Sequence, residues 1–198
     1  MLHIYLIRHG QTQWNLSQKM QGSLNSELTS LGKSQATKLA TKLASLNLDK
    51  IFSSTATRAS QTANLIFDDQ PIIHSDDLQE IAMGNWEGKT YTQIKTESPK
   101  EWFNFFKDPF SYTPSKGGES FDDLEKRLKK FIDHEQIKSM TGHIAIVSHR
   151  ITLKMLISIL QQDKALFNHI DLDPTSLSIL TLANDASKIA CLNDTTHY

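Results

Sequence analysis

Arginine is scarce in this sequence: of 21 basic residues only Arg8, Arg58, Arg127 and Arg150 carry a guanidinium. Three of them stand beside other reactive residue types, in Arg8-His9, in the Ser53-Ser54 block leading to Arg58, and in Ser148-His149-Arg150. A guanidinium stays charged and presents a planar fork of donors that matches phosphate oxygens, so Arg8 and Arg58 brought together form a clamp for a phosphoryl group. An imidazole between two guanidinium groups is kept neutral, and a neutral imidazole is a nucleophile toward phosphorus. Arg127 lacks such neighbours and reads as a helix-surface residue.

The elements predicted around these residues bring them together. Residues 3–7 form a short apolar run that reads as a buried strand, residues 50–53 a second, 71–74 a weaker third and 143–148 the clearest of all. Thr29 is placed to cap a helix with Ala36, Leu39, Ala40 and Leu43 at helical spacing, and residues 55–67 carry Ala59, Ala63 and Ile66 on one face. Ser120, with Asp123 three residues on, caps a helix whose stripe is Phe121, Leu124, Leu128, Phe131 and Ile132. Residues 151–160 are apolar nearly all round and read as a buried helix. Late strands are expected at 176–182 and 188–192 around an Asn184-Asp185 turn. Between Glu80 and Gly118 the pattern loosens into Gly, Pro and aromatic residues, with a short helix near 99–107.

Strands alternating with helices predict an α/β fold, a three-layer α/β/α sandwich with a mostly parallel central sheet and a small helical cap. Residues 1–198 read as one domain, with 81–117 as the cap or insertion. Ligands of such sheets sit beyond the carboxyl ends of the strands. Arg8-His9, Ser54 with Arg58, and His149 all follow strands, so three strand ends deliver them to one edge. Arg58 in a first helical turn and His149 just before a helix add two N-termini that favour an anion.

Composition narrows the partners. The chain has 198 residues, 21 Lys+Arg against 22 Asp+Glu, a formal net charge of -1 and one cysteine, Cys191. Its lysines are scattered, so no basic stripe for nucleic acid is expected, and a disulfide framework or Cys-rich zinc site is excluded. No segment approaches the roughly 20 apolar residues of a membrane span, and the first residues lack a signal-peptide pattern, so cytoplasmic residence without membrane association is expected. The pairs Asp68-Asp69, Asp76-Asp77 and Asp122-Asp123 read as turn and capping residues rather than metal ligands, and neither metal nor cofactor is expected. His3, His74, His134, His143, His169 and His197 are expected to be solvated or structural.

Residues 6–15, LIRHGQTQWN, resemble the signature of the histidine phosphatase superfamily, the group that includes cofactor-dependent phosphoglycerate mutases. Further matching features follow in order: Gln21-Gly22, Leu28-Thr29 with Gly32, Ser53-Ser54 to Arg58-Ala59 with Gln61-Thr62-Ala63, Leu78-Gln79-Glu80, Gly84 to Gly88, Gly118-Glu119-Ser120, and Val147-Ser148-His149. The resemblance implies that His9 becomes a phosphohistidine and that Arg8, Arg58 and His149 bind the transferred phosphoryl group. It implies Glu80 as the proton donor to the leaving oxygen, with Glu87 the competing carboxylate in a Trp-Glu-Gly element, and it places Asn15, Gln21 and Gly22 along the phosphate site. Asn15 has the alternative of capping a local turn.

Relatives in that family commonly have glycine after the second histidine; here Arg150 stands there. It either meets a second anionic group on the substrate or turns into solvent. Mutases carry an Arg-Arg pair in a longer stretch between the Glu and the second His, whereas the interval from Glu80 to Gly118 holds no arginine. The expected function is therefore a metal-independent phosphomonoesterase acting through a phosphohistidine on a small phosphorylated metabolite, of the α-ribazole phosphatase or broad-specificity kind. Phosphoglycerate mutase and a regulatory phosphate-binding module are the alternatives. The aromatic residues Trp102, Phe103, Phe105, Phe106, Phe110 and Tyr112 form either an apolar wall for the leaving group or ordinary packing. The expected partner is a small phosphate ester, and a homodimer is left open.

Overall fold

The computed structural model describes residues 1–68, 70–183 and 186–198. The expected Asn184-Asp185 turn, and Asp69 of the Asp68-Asp69 pair, lie outside the described residues. Six strands form one sheet: β1 (Leu2–Arg8), β2 (Lys50–Ser54), β3 (Ile72–Ser75), β4 (Gly142–Ser148), β5 (Leu177–Ala183) and β6 (Ala186–Asp194). Their order is β3-β2-β4-β1-β5-β6, with the first four parallel and β5 and β6 antiparallel to their neighbours. The fold is thus the expected α/β type with a mostly parallel central sheet.

Alternation along the strands divides the core. From β1, Leu2, Ile4 and Leu6 join Phe52, Ile144 and Ile146 on one face, against α6 (Phe121–His134) and α7 (Arg150–Leu160). Tyr5 and Ile7 join Ile51, Ala145 and Val147 on the other, against α2 (Ser30–Leu43) and α3 (Thr57–Phe67). A period of two sends successive side chains to opposite faces, so both faces of the central strands are dry. β1 is followed by a helix on one face and β4 by a helix on the other. The carboxyl ends of these neighbouring strands, registered Arg8 to Ser148, are therefore where a crevice opens.

The helix starts follow their capping residues. Thr29 accepts from the Gly32 amide at 2.9 Å and Ser120 from the Asp123 amide at 3.1 Å. The helix expected over 55–67 begins two residues later, at Thr57, and the strand expected at 71–74 runs Ile72–Ser75. Two helices are additional to the expectation: α1 (Gln13–Leu16) and α4 (Tyr91–Glu97). Both open on capping boxes, Thr12 with Asn15 and Thr90 with Gln93. The short helix near 99–107 is α5 (Pro99–Lys107), with proline in its first turn. Residues Met83, Trp86, Ile94, Phe105 and Tyr112 of the 81–117 interval belong to the same core cluster as α6 and α7.

Candidate active site

Three strand ends and two helix starts build the crevice. β1 delivers Arg8 and His9, β2 leads through Ser54 to Arg58 in the first turn of α3, and β4 leads to His149, the residue before α7. The rings of His9 and His149 lie 5.1 Å apart, centroid to centroid. His9 is buried at 3% exposure and its Nδ1 lies 2.8 Å from the Gly10 carbonyl oxygen. A carbonyl only accepts, so Nδ1 carries the hydrogen and Nε2 keeps its lone pair. The loop is fixed by Thr62, whose hydroxyl accepts from the Gly10 amide at 2.9 Å and donates to the Arg58 carbonyl at 2.7 Å.

Both arginines are held by their outer ends. Arg58, 1% exposed, donates through Nη1 to the Leu24 carbonyl (2.8 Å) and Asn25 Oδ1 (3.1 Å), and through Nη2 to the Gly22 carbonyl (2.8 Å). Arg8 donates through Nη1 to the Leu172 carbonyl at 2.6 Å. The Nε atoms of Arg8 and Arg58 and Nδ1 of His149 are buried without a partner among the described residues. Leaving a buried donor unsatisfied costs about 1–3 kcal/mol, so the orphaned Nε atoms of the two arginines that line the crevice mark the place of a ligand that satisfies them.

Electrostatics keep the imidazoles uncharged. Burial, then Arg58 and Arg8, push His9 well below the ordinary imidazole value. Burial, then Arg58, His9 and Arg8, do the same for His149, whose Nε2 contacts Ser54 Oγ at 2.9 Å. Desolvation lowers both guanidinium groups to about 10, with Arg8 further lowered by Arg150, so each remains charged at neutral pH.

Glu80 and Glu87 occupy different places. Glu80, 8% exposed, lines the crevice and accepts from the amides of Ile151 (3.2 Å) and Thr152 (3.1 Å). It thereby sits at the N-terminus of α7, beside His149. Glu87 instead accepts from the amides of Ser23 (2.8 Å) and Met83 (3.0 Å). Gly22 has φ +52 beside that carboxylate, where an added Cβ would collide with Glu87 Oε1. Glu87 thus shapes the loop whose carbonyls hold Arg58.

Arg127 corrects the expectation of a surface residue. It donates through Nη1 to the carbonyls of Asp77 (2.7 Å) and Gln79 (3.1 Å), and through Nε and Nη2 to Glu119 (2.9 and 2.8 Å). Ser148 Oγ donates to the Leu78 carbonyl and Thr152 Oγ1 to the Gln79 carbonyl, each at 2.7 Å. These bonds strap residues 77–80 across the end of β4 and set Glu80 in place.

The crevice has about 500 Å³ of empty space, its open mouth included, and Asn15, Gln21, Gly22 and Arg150 all line it. Asn15 also caps α1, its Oδ1 accepting from the Thr12 amide and hydroxyl at 3.0 Å each. Gly22 contributes the carbonyl to Arg58, and Gln21 brings an unpartnered buried Oε1. Arg150 neither runs free into solvent nor stands alone: Asp171 holds it side-on through Nε (2.7 Å) and Nη2 (2.8 Å). Thr62, Arg127 and Asp171 had no assigned site role in the sequence. Thr62 stood in the quoted Gln61-Thr62-Ala63 block, which was the available signal for it. Among the described residues, no group of three or more His, Cys, Asp or Glu side chains could hold a metal ion.

Residues 4–195 match the profile of the Histidine phosphatase superfamily (branch 1). Phosphoserine phosphatase 1 of Hydrogenobacter thermophilus is 28% identical over 200 residues, spanning 100% of this chain and 94% of the relative. GpmB of Escherichia coli, named as a phosphoglycerate mutase, is 32% identical over 160 residues, 80% of this chain and 74% of the relative. The crystal structure of the α-ribazole phosphatase from Shigella flexneri superposes with a TM-score of 0.88 at 28% identity, covering 98% of this chain and 96% of that one.

Proposed function

This chain belongs to the histidine phosphatase superfamily, and from that premise we propose that it hydrolyses small phosphate monoesters through a phosphohistidine at His9. The observation that carries the reading is the set of buried atoms without a partner among the described residues, Nε of Arg8 and Arg58 and Nδ1 of His149, around an imidazole whose Nε2 is unprotonated. The Nε2 lone pair attacks phosphorus, the P–O bond to the alcohol breaks, and the two guanidinium groups meet the charge on the equatorial oxygens. Glu80 gives its proton to the departing alkoxide, then takes one from the water that attacks phosphorus in the second half, returning His9 to its free form. Asn15 and Gln21 border the phosphoryl group, and residues 81–117 act as the cap over the leaving alcohol.

The mutase alternative shares the first step and differs in returning the phosphoryl group to a glycerate rather than to water. The 81–117 interval contains no arginine pair of the kind the mutases carry in their longer stretch, which favours hydrolysis. The test is phosphate release from p-nitrophenyl phosphate, with EDTA present, by wild type and His9→Ala. Wild type turns over in chelator and the variant falls by at least about 10³-fold. Absence of wild-type turnover on this and a panel of small phosphate esters would sink the reading.

A further inference from the structure

Charge in the crevice is unbalanced in a way the phosphoryl group alone does not use. The lining contains four cations, Arg8, Lys19, Arg58 and Arg150, and one carboxylate, Glu80. A phosphate monoester dianion facing Arg8 and Arg58 leaves Lys19 and Arg150 opposite a single acid. The rest of the wall includes Met20, Met83, Tyr91, Phe105 and Phe106, which offer an alcohol contact area but no countercharge.

Arg150 is built for recognition. As the first residue of α7 it follows His149 directly, so its backbone is locked to the phosphate centre. Asp171 engages its Nε and Nη2, and Nη1 lies outside that pair. Asp171 is itself fixed by accepting from the Leu172 amide at 2.8 Å, and the Leu172 carbonyl is the one that holds Arg8. One two-residue segment therefore sets the spacing of the two guanidinium groups. Asp171 does not cancel Arg150 alone. Lys154, one helical turn on and stacked 4.4 Å over the Phe167 ring, also feels its charge, while Arg150 and Lys154 repel each other. A guanidinium already ordered by a side-on carboxylate loses little further freedom when an anion arrives.

We propose that Arg150 is a specificity residue that selects phosphate esters whose alcohol carries a second anionic group, most directly a carboxylate. The inference rests on the hydrolase reading above for its kinetic test, and on binding alone for a second one. The matched probes are 3-phosphoglycerate and glycerol 3-phosphate, which differ by a carboxylate in place of a hydroxymethyl group. Wild type prefers 3-phosphoglycerate in kcat/KM, and in Arg150→Gln the ratio of the two kcat/KM values falls about tenfold, through the KM for 3-phosphoglycerate. Asp171→Asn, which loosens the arginine without removing it, lowers the same ratio by less. An unchanged ratio in Arg150→Gln, or equal losses on both esters in both variants, would overturn the proposal and leave the Arg150–Asp171 pair a structural clasp. Calorimetric titration of both esters into the His9→Ala protein, with and without Arg150→Gln, separates the two readings. If turnover fails altogether, selective weakening of 3-phosphoglycerate binding still supports the anion contact, and equal affinities for both esters still refute it.

Discussion

At the strand ends, three of the reactive side chains are anchored by hydrogen bonds to backbone: Arg58 to the carbonyls of Gly22 and Leu24, Arg8 to that of Leu172, His9 to that of Gly10. Across the crevice, the 81–117 segment joins the Met20 strip through backbone hydrogen bonds at Gly88 and Lys89, but its interior is ring packing, with Trp86 between Trp102, Phe105 and Tyr112 at centroid distances of 6.4, 5.6 and 5.3 Å. Directional bonds with a buried donor left over fix a geometry to tenths of an ångström, which is what charge stabilisation in a transition state requires. Aromatic packing fills space and tolerates shape change, and it leaves Phe103 61% exposed and Phe106 at the crevice wall. The phosphate side is therefore expected to govern kcat and the aromatic side KM.

The strongest challenge to that division is Arg58→Gln. Loss of the charged fork lowers kcat/KM by about 10³-fold on every ester. It also moves the acid limb of kcat/KM. Removing a cation beside an imidazole relieves its protonated form, so His9 titrates closer to its ordinary value and activity is lost at higher pH than in wild type. Imidazole NMR titration of the two proteins checks the direction independently of turnover.

A middle-sized effect belongs to Glu80→Gln, about 10²-fold on an alkyl phosphate whose alkoxide needs a proton. On p-nitrophenyl phosphate, whose phenolate leaves unaided, the loss is smaller. Equal losses on both would place Glu80 in structure rather than proton transfer. The smallest effect is that of Phe106→Ala, which raises KM for a bulky aryl ester by about threefold and leaves kcat within twofold. A kcat loss as large as its KM change would dissolve the distinction between the two walls.

How much of this was legible in the sequence follows the same line. Strand ends showed because buried parallel strands are short apolar runs, and the polar residues just after them, Arg8-His9 and Ser148-His149, must lie at the sheet edge. α5 was legible as a short helix near residues 99–107, where Pro99 suits a first helical turn. α1 was not, because it buries no residue, and α4 was not, because it buries only Ile94, so neither carries an apolar stripe. Arg127 was misread because, besides Glu119, its partners are carbonyls of residues 48 and 50 positions earlier, and backbone carbonyls leave no trace in sequence. Arg150 stood out by residue type, but Asp171, 21 positions away, had nothing to mark it as the group that orients it. Glu80 was singled out by resemblance; its seat at the start of α7 is a tertiary fact.

The central claim is a covalent bond between His9 and phosphorus. Rapid acid-free quenching of wild type mixed with a 32P-labelled monoester, followed by peptide mapping, tests it most directly. Label is expected on the peptide containing His9, stable in alkali, labile in acid, chased by water at the turnover rate and absent from His9→Ala. Turnover without label on His9, or label on another residue at the kinetically competent rate, would contradict it.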